Sequence, residues 1–440
     1  TTLFRSSKKA RAYFLVSEVL LRNGQDPRPV LDLSIQNSLA AKKLDPQDAI
    51  ALDSIGNCYI GIAHYAMKKG QDPLPFLERA LAAIDEAVRI QPNFTWAWND
   101  AGNAMQFKAM YEADNGMDPR ASVATGVQHF ARAAKEDPSY MGAYTNAMNI
   151  LSVREAYDFA HGRDPRADVK QALERAAKAA ELDPKWLPLL NNRGWNELIE
   201  AQYDDAALID PSAALERTEA SFQASLDITK EEADTHFGMG LAKYTRALYL
   251  IRKGEAAQKE LNEARTSLVR ASELDAQDPA IRAALARLLM TIARRSAPPD
   301  PEHKLLLDEA SKVLAEGLRV NPRHAPLHTA QAELHIIAAQ DKLAAKADAE
   351  LAQGLEETEK ALAINPTHAL AHAAKGALYA LRASRQTDAA RRDEDHRAAR
   401  ASLEKALAIN PLLPPSVKAS LVSVSGAQAQ GAQPKPPSAN

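Results

Sequence analysis

Cysteine is nearly absent: Cys58 is the single thiol in 440 residues. No intrachain disulfide can form, which excludes a disulfide-stapled secreted scaffold. A reducing compartment fits, so a cytoplasmic location is expected. Long apolar runs are also missing. The nearest approach, Tyr13 to Leu21, is broken by Ser17 and Glu18, far short of the ~18–20 residues of a membrane span. No secretory signal opens the chain. There is no excess of one charge either. Lys and Arg number 54 against 57 Asp and Glu, a net charge of −3, and the two signs are interleaved. That balance gives no footprint for nucleic acid or an anionic membrane as partner. An initiator Met is missing and apolar periodicity is already running by Ala12. The chain is therefore expected to be a piece, or the C-terminal part, of something longer.

What is present is a clock. A helix-ending proline or its stand-in recurs at Pro46, Pro92, Pro138, Pro184, Lys230, Ala276 and Pro322, each 46 residues after the last, then at Pro366 and Pro411. A fixed period of this size means stacked repeats, and stacked repeats offer a long binding surface before they offer a catalytic one. Each unit holds two helical patterns. In the unit ending at Pro92, Ala49 to Lys69 and Leu74 to Arg89 carry apolar stripes at helical spacing, separated by Gly70-Gln71-Asp72-Pro73. Glycine can end the first helix in the left-handed conformation, Asp can cap the second, and Pro suits its first turn. The same punctuation stands at Gly24 to Pro27, Gly116 to Pro119 and Gly162 to Pro165; Leu208 to Pro211 loses the glycine, and Gly254 loses the cap.

Two further positions keep the clock. Small residues stand five before each mark (Ala41, Ala87, Ala133, Ala179, Ser225, Ala271, Gly317, Ala361, Ala406). Small residues also stand ten after it (Gly56, Gly102, Gly194, Gly240, Ala286, Ala332, Gly376), with Met148 the exception. They predict close helix approach. Apolar residues two before the mark (Leu44, Ile90, Leu182, Ile228, Leu274, Val320, Ile364, Ile409), with Glu136 the exception, are expected to fill the seams between units.

This spacing of large, small, aromatic, small and Pro resembles the tetratricopeptide repeat. Ala97-Trp98-Asn99-Asp100-Ala101-Gly102-Asn103-Ala104 is similar to the start of that family's first helix, and Ala401 to Pro411 to its second. The resemblance covers residues 5 to 411 and departs in length, since the family unit is about 34 residues. The long variant with Gly-x-Asp-Pro between helices resembles the C-terminal repeat regions attached to eukaryote-like serine/threonine kinases of bacteria, the myxobacterial type in particular. The resemblance implies an all-α, right-handed superhelical solenoid of about nine antiparallel helix pairs over residues 1–411. Its units would end near 46, 92, 138, 184, 230, 276, 322, 366 and 411. From 412 to 440 a disordered tail rich in Pro, Ala, Gln and Ser is expected.

The resemblance also supplies a groove. Asn57, Asn103 and Asn149 stand eleven after the mark, the position that faces the concave surface in that family, where Asn commonly grips the backbone of an extended peptide. Asn146 and Asn192 stand eight after it, beside Asn99 and level with Asp100. An amide donates and accepts at once, so it suits any peptide unit; the alternative is that these residues only fix helix contacts. Trp195 falls in the same register as a candidate anchor, whereas Trp98 sits at the family's buried aromatic position. His324 with His328 and His368 with His372 are i,i+4 pairs, but no Cys or His-Glu-x-x-His joins them, and packed or solvated histidines are expected rather than a metal site. No catalytic motif or cofactor motif is present. His161-Gly162-Arg163-Asp164 is the fourth inter-helix linker, not a kinase catalytic loop. The reading is a non-catalytic scaffold holding a protein or peptide partner in its concave groove. Two alternatives stand beside it: the sensor or substrate-docking region of a serine/threonine kinase whose catalytic domain lies elsewhere, and a ligand- or metal-sensing helical module.

Overall fold

The computed structural model describes residues 2–22, 24–296, 300–341 and 344–431. Among them are nineteen helices and no strand. They run as pairs: α1 (Thr2–Arg22) with α2 (Arg28–Leu44), α3 (Ala49–Lys68) with α4 (Leu74–Ile90), α5 (Thr95–Asp114) with α6 (Arg120–Glu136), and α7 (Met141–Ala160) with α8 (Arg166–Leu182). The series continues with α9 (Leu187–Ala206) and α10 (Ser212–Ile228), α11 (Ala233–Lys253) and α12 (Gln258–Leu274), and α13 (Pro279–Ala293) and α14 (Pro301–Val320). It ends with α15 (Ala325–Asp341) and α16 (Ala344–Ile364), then α17 (Ala369–Arg385) and α18 (Ala389–Ile409). Each helix packs chiefly on its partner and on the next pair, the nearest-neighbour stacking of a solenoid.

The linkers form as their residues dictate. Gly70 sits at φ +68°, and the Gln71 N–H reaches back to the Ala66 carbonyl at 2.8 Å, closing α3 in a left-handed C-terminal turn. Asp72 then accepts the Leu74 N–H at 2.9 Å, and the same bond recurs at Asp26, Asp118 and Asp164. The close-approach positions are as tight as their sizes require. A Cβ on Gly102 would run into the Phe130 ring, and one on Gly194 into Phe222. Met148 breaks the small-residue pattern, but the position that is Phe130 one unit earlier is Ala176 here, and both lie in one buried cluster. The large and small partners have exchanged helices.

Two expectations change. Of the apolar residues two before the mark, Leu44, Leu182 and Ile228 are exposed, whereas Val320 is buried and Ile90, Ile364 and Ile409 pack against buried clusters. And helix does not stop at Pro411. Residues Pro415–Gly431 form α19, whose Val417, Leu421 and Val424 lie on Ala399 and Leu403 and cover the apolar end face that a terminal repeat would otherwise leave bare. Residues 432–440 of the expected tail lie outside the described residues.

The solenoid also closes on itself. Asn321, Asn365 and Asn410, each just before a helix-ending proline, donate Nδ2–H to the carbonyls of Met67, Ala113 and Phe159 at 3.3, 3.3 and 3.1 Å. Those partners are 254, 252 and 251 residues away in sequence, about five and a half repeats. Lys68 meets Asp275 at 2.9 Å and Lys69 meets Gln277 at 3.1 Å along the same line. The second turn of the coil therefore rests on the first. The linker glycines lie under this contact: a Cβ on Gly24 would strike Gln277, on Gly70 Asn321, on Gly116 Asn365 and on Gly162 Pro411. Gly254 has nothing above it, and Leu208, at φ +62°, occupies the same kind of turn without glycine. The Gly-x-Asp-Pro linker is thus complete in the four units that carry a second turn. The first helices of successive pairs also touch one another, from α1 on α3 through to α15 on α17.

Candidate functional site

The asparagine ladder is built around one carboxylate. Asp100, on α5, is only 7 % exposed. It accepts Nδ2–H from Asn57 of α3, from Asn99 at 3.2 Å and from Asn103 at 3.3 Å. Asn146 of α7 donates to Asn99 Oδ1 at 2.9 Å, and Asn192 of α9 to the Thr145 carbonyl at 2.8 Å. Polar side chains thus step from one first helix to the next on an otherwise alanine-rich face. Burial pushes the Asp100 carboxyl up to about 6, against the pull of its amide donors, so it is ionised at pH 7. Asp53, at the same repeat position as Asn99, is held well above the ordinary carboxylate range by burial and by Asp100. Its Oδ1 is buried without a partner. Burial, then these two acids, drives the nearby Tyr140 hydroxyl up to about 12.

Asn57, Asn103, Asn146 and Asn149 line one cavity of about 300 Å3, walled on other sides by Phe14 and Phe107. Glu18 stands at it, and no Lys or Arg is among the described lining residues. His64 stacks on Phe107 with ring centroids 4.8 Å apart, and burial pushes its pKa down, so it is neutral at pH 7. Asn149 is exposed. The structure does not bring Asn192 or Trp195 to this cavity. Trp195 donates its indole N–H to Asp234 at 3.0 Å and meets Phe222 and Phe237 edge-on, a packing role rather than an open anchor. Asp53, Glu18 and His64 escaped the sequence reading; for Asp53 the available signal was a carboxylate at a repeat position that carries Asn99 one unit later.

Of the two histidine pairs, His328, His368 and His372 are hydrogen-bonded within the fold, whereas His324 Nδ1 is buried without a partner. His328 uses one ring nitrogen on Glu357 at 2.6 Å and the other on the Pro322 carbonyl at 2.9 Å. His335 pairs with Glu350 at 2.7 Å, and His372 with the Pro366 carbonyl at 3.0 Å. Among the described residues no group of His, Cys, Asp and Glu has the arrangement of a metal site, and no helix is long and apolar enough to cross a membrane.

No family model matches the chain, and no curated protein matches it. Solved structures do. The human IFIT1 dimer with m7Gppp-AAAA superposes over 93% of this chain and 89% of its own, at TM-score 0.50 and 12% identity. TTC0263, a thermophilic TPR protein of Thermus thermophilus, covers 53% of this chain and 98% of its own at TM-score 0.35 and 17% identity. YrrB, a TPR protein with an unusual peptide-binding site, covers 57% and 96% at TM-score 0.30 and 18% identity. At such identities the likeness is one of fold, and the fold is an all-α solenoid of tetratricopeptide-like helix pairs.

Proposed function

We propose that this chain is a non-catalytic scaffold that holds an extended peptide segment of a partner protein against the inner wall of the coil, with the asparagine ladder as the principal contact. The observation that carries this reading is the convergence of Asn57, Asn103, Asn146 and Asn149 on one open cavity. Four amides from three successive repeats suit a chain of peptide units spaced along the groove. The described lining residues include Glu18 and no Lys or Arg, which favours a peptide over a phosphate-bearing ligand. The resemblance to kinase-attached repeat regions fits an arm that docks a substrate or senses a partner within a larger bacterial, cytoplasmic assembly.

A peptide-display selection on the full chain tests this. Selected peptides are expected to bind the Asn57→Ala/Asn103→Ala/Asn149→Ala variant several-fold to about a thousand-fold more weakly, since each bond contributes about 0.5–1.5 kcal/mol. Peptides that bind both proteins equally would refute the reading.

A further inference from the structure

We infer that the cavity at Asn57, Asn103 and Asn146 recognises a primary ammonium group on the held segment, either a lysine side chain or a free amino terminus. This rests on the peptide-binding reading above. A carboxylate can only accept hydrogen bonds. Asp100 therefore forces the Nδ2 groups of Asn57, Asn99 and Asn103 toward itself. Asn99 Oδ1, turned the other way, takes the Nδ2–H of Asn146. One buried charge thereby fixes the orientation of four amides, and the Oδ1 atoms of Asn57, Asn103 and Asn146 are left on the side away from the cluster.

None of these three oxygens receives a hydrogen bond from the described residues, and all three residues line the same cavity. The cavity thus offers three acceptor oxygens with no bond of their own, beside the Gln106, His64 and Asn149 side chains that also line it. Asn57 and Asn103 donate to the Asp100 carboxylate directly and Asn146 through Asn99, a chain of bonds that strengthens their oxygens as acceptors in the low-dielectric wall. Among the described lining residues the charged group is Glu18, and it is negative.

An ammonium carries three N–H donors on one compact charge, which matches three carbonyl oxygens supplied by three helices. The Phe14 and Phe107 rings offer apolar surface for a lysine stem. A volume of about 300 Å3 is at the small end of ligand cavities, enough for one side chain. A planar guanidinium, which favours paired coplanar acceptors, fits the arrangement less well.

Calorimetric titration of the full chain with amidated alanine pentapeptides separates the possibilities. The probes carry, in turn, a central lysine, norleucine or arginine with an acetylated end, or a free amino terminus and no lysine. The lysine or free-amine probe is expected to bind roughly tenfold or more tightly than the norleucine probe, and whichever does so names the source of the ammonium. Asp100→Asn should abolish that preference. Asn146→Ala, at the outer end of the ladder, should reduce it, and serves if Asp100→Asn loses its helical signal. Lysine, free-amine and norleucine probes binding within threefold of one another would overturn the inference while leaving the peptide-binding groove standing. Failure of every probe to bind would bring down both.

Discussion

Gly116 and Gly254 provide a controlled pair for testing whether the coil's turns truly rest on each other. Both sit at φ +74°, so replacing either by Ala carries the same left-handed backbone penalty, about 1–2 kcal/mol, partly offset by the lower entropy of the unfolded chain. At Gly254 nothing lies within 4 Å of the added Cβ, and the net loss should stay near ~1 kcal/mol. At Gly116 the Cβ would stand 2.6 Å from Asn365 Oδ1 and 3.0 Å from Thr367 Oγ1. Asn365 must swing aside. It would then give up its bond to the Ala113 carbonyl at 3.3 Å and those it accepts from Thr367 N–H and Oγ1–H at 3.0 Å each. Three bonds at about 0.5–1.5 kcal/mol each add roughly 1.5–4.5 kcal/mol. Urea unfolding followed by circular dichroism should therefore rank Gly116→Ala well below Gly254→Ala. Small-angle scattering should show a lengthened coil for the first variant alone. Equal destabilisation with superimposable scattering curves would show that the seam is not a real contact.

Asn365→Asp would place a carboxylate against the Ala113 carbonyl, two acceptors with no proton between them at pH 7; a loss of about 1–3 kcal/mol is expected in thermal unfolding, and an unchanged midpoint would refute it. Ala133 is fully buried, so Ala133→Leu should cost roughly 1–3 kcal/mol by overpacking; an unaltered melting temperature would mean that the repeat register is wrong. Asp100 has a folded pKa of about 6, above its ordinary value of 3.8, so it contributes stability that is fully present below the unfolded pKa and is lost as pH rises through the folded one. Measured against Asp100→Asn, the native chain should lose on the order of 2 kcal/mol between about pH 4 and pH 7, and parallel stability curves for the two proteins would contradict this. Deleting residues 93–138 should leave a helical protein whose coil still closes with one fewer seam contact, because equivalent linkers then move into register; loss of helical signal well beyond one repeat's share would argue against the stacked array.

The fold was legible because its signals are local and repeated. Gly70 and Asp72 act on backbone atoms a few residues away, and the Gly102 position needs only its partner helix, so a single chain states such rules many times over. The seam was written in the sequence as well, though illegibly in advance. Residues just before the mark are Asp45, Gln91, Asp137, Asp183, Thr229 and Asp275 in the first six units and Asn321, Asn365 and Asn410 in the last three. That change acquires meaning only once one knows that Met67, Ala113 and Phe159 lie above them. In the candidate site, repeat register placed Asn57, Asn103 and Asn149 together, since a shared position on stacked helices is a shared direction. It misplaced Trp195, because a ring in groove register can still fold inward when Phe222 and Phe237 offer edges and Asp234 accepts its N–H. The amide orientations were out of reach, since they depend on which carboxylate keeps its charge.

Touching turns alter how the chain must be made. An open solenoid can set each repeat as it leaves the ribosome, for every contact is with the repeat before. Here the linker after α3 completes its contacts only when Asn321 arrives, 254 residues after Met67, so the contact order rises sharply at the last step although almost all earlier steps are local. The coil should therefore assemble helix by helix as a loose ribbon and then wind shut late. A chain stopped before Asn321 would keep its helices yet expose the linker glycines, and those bare turns would be the natural sites of proteolysis or chaperone attention during synthesis.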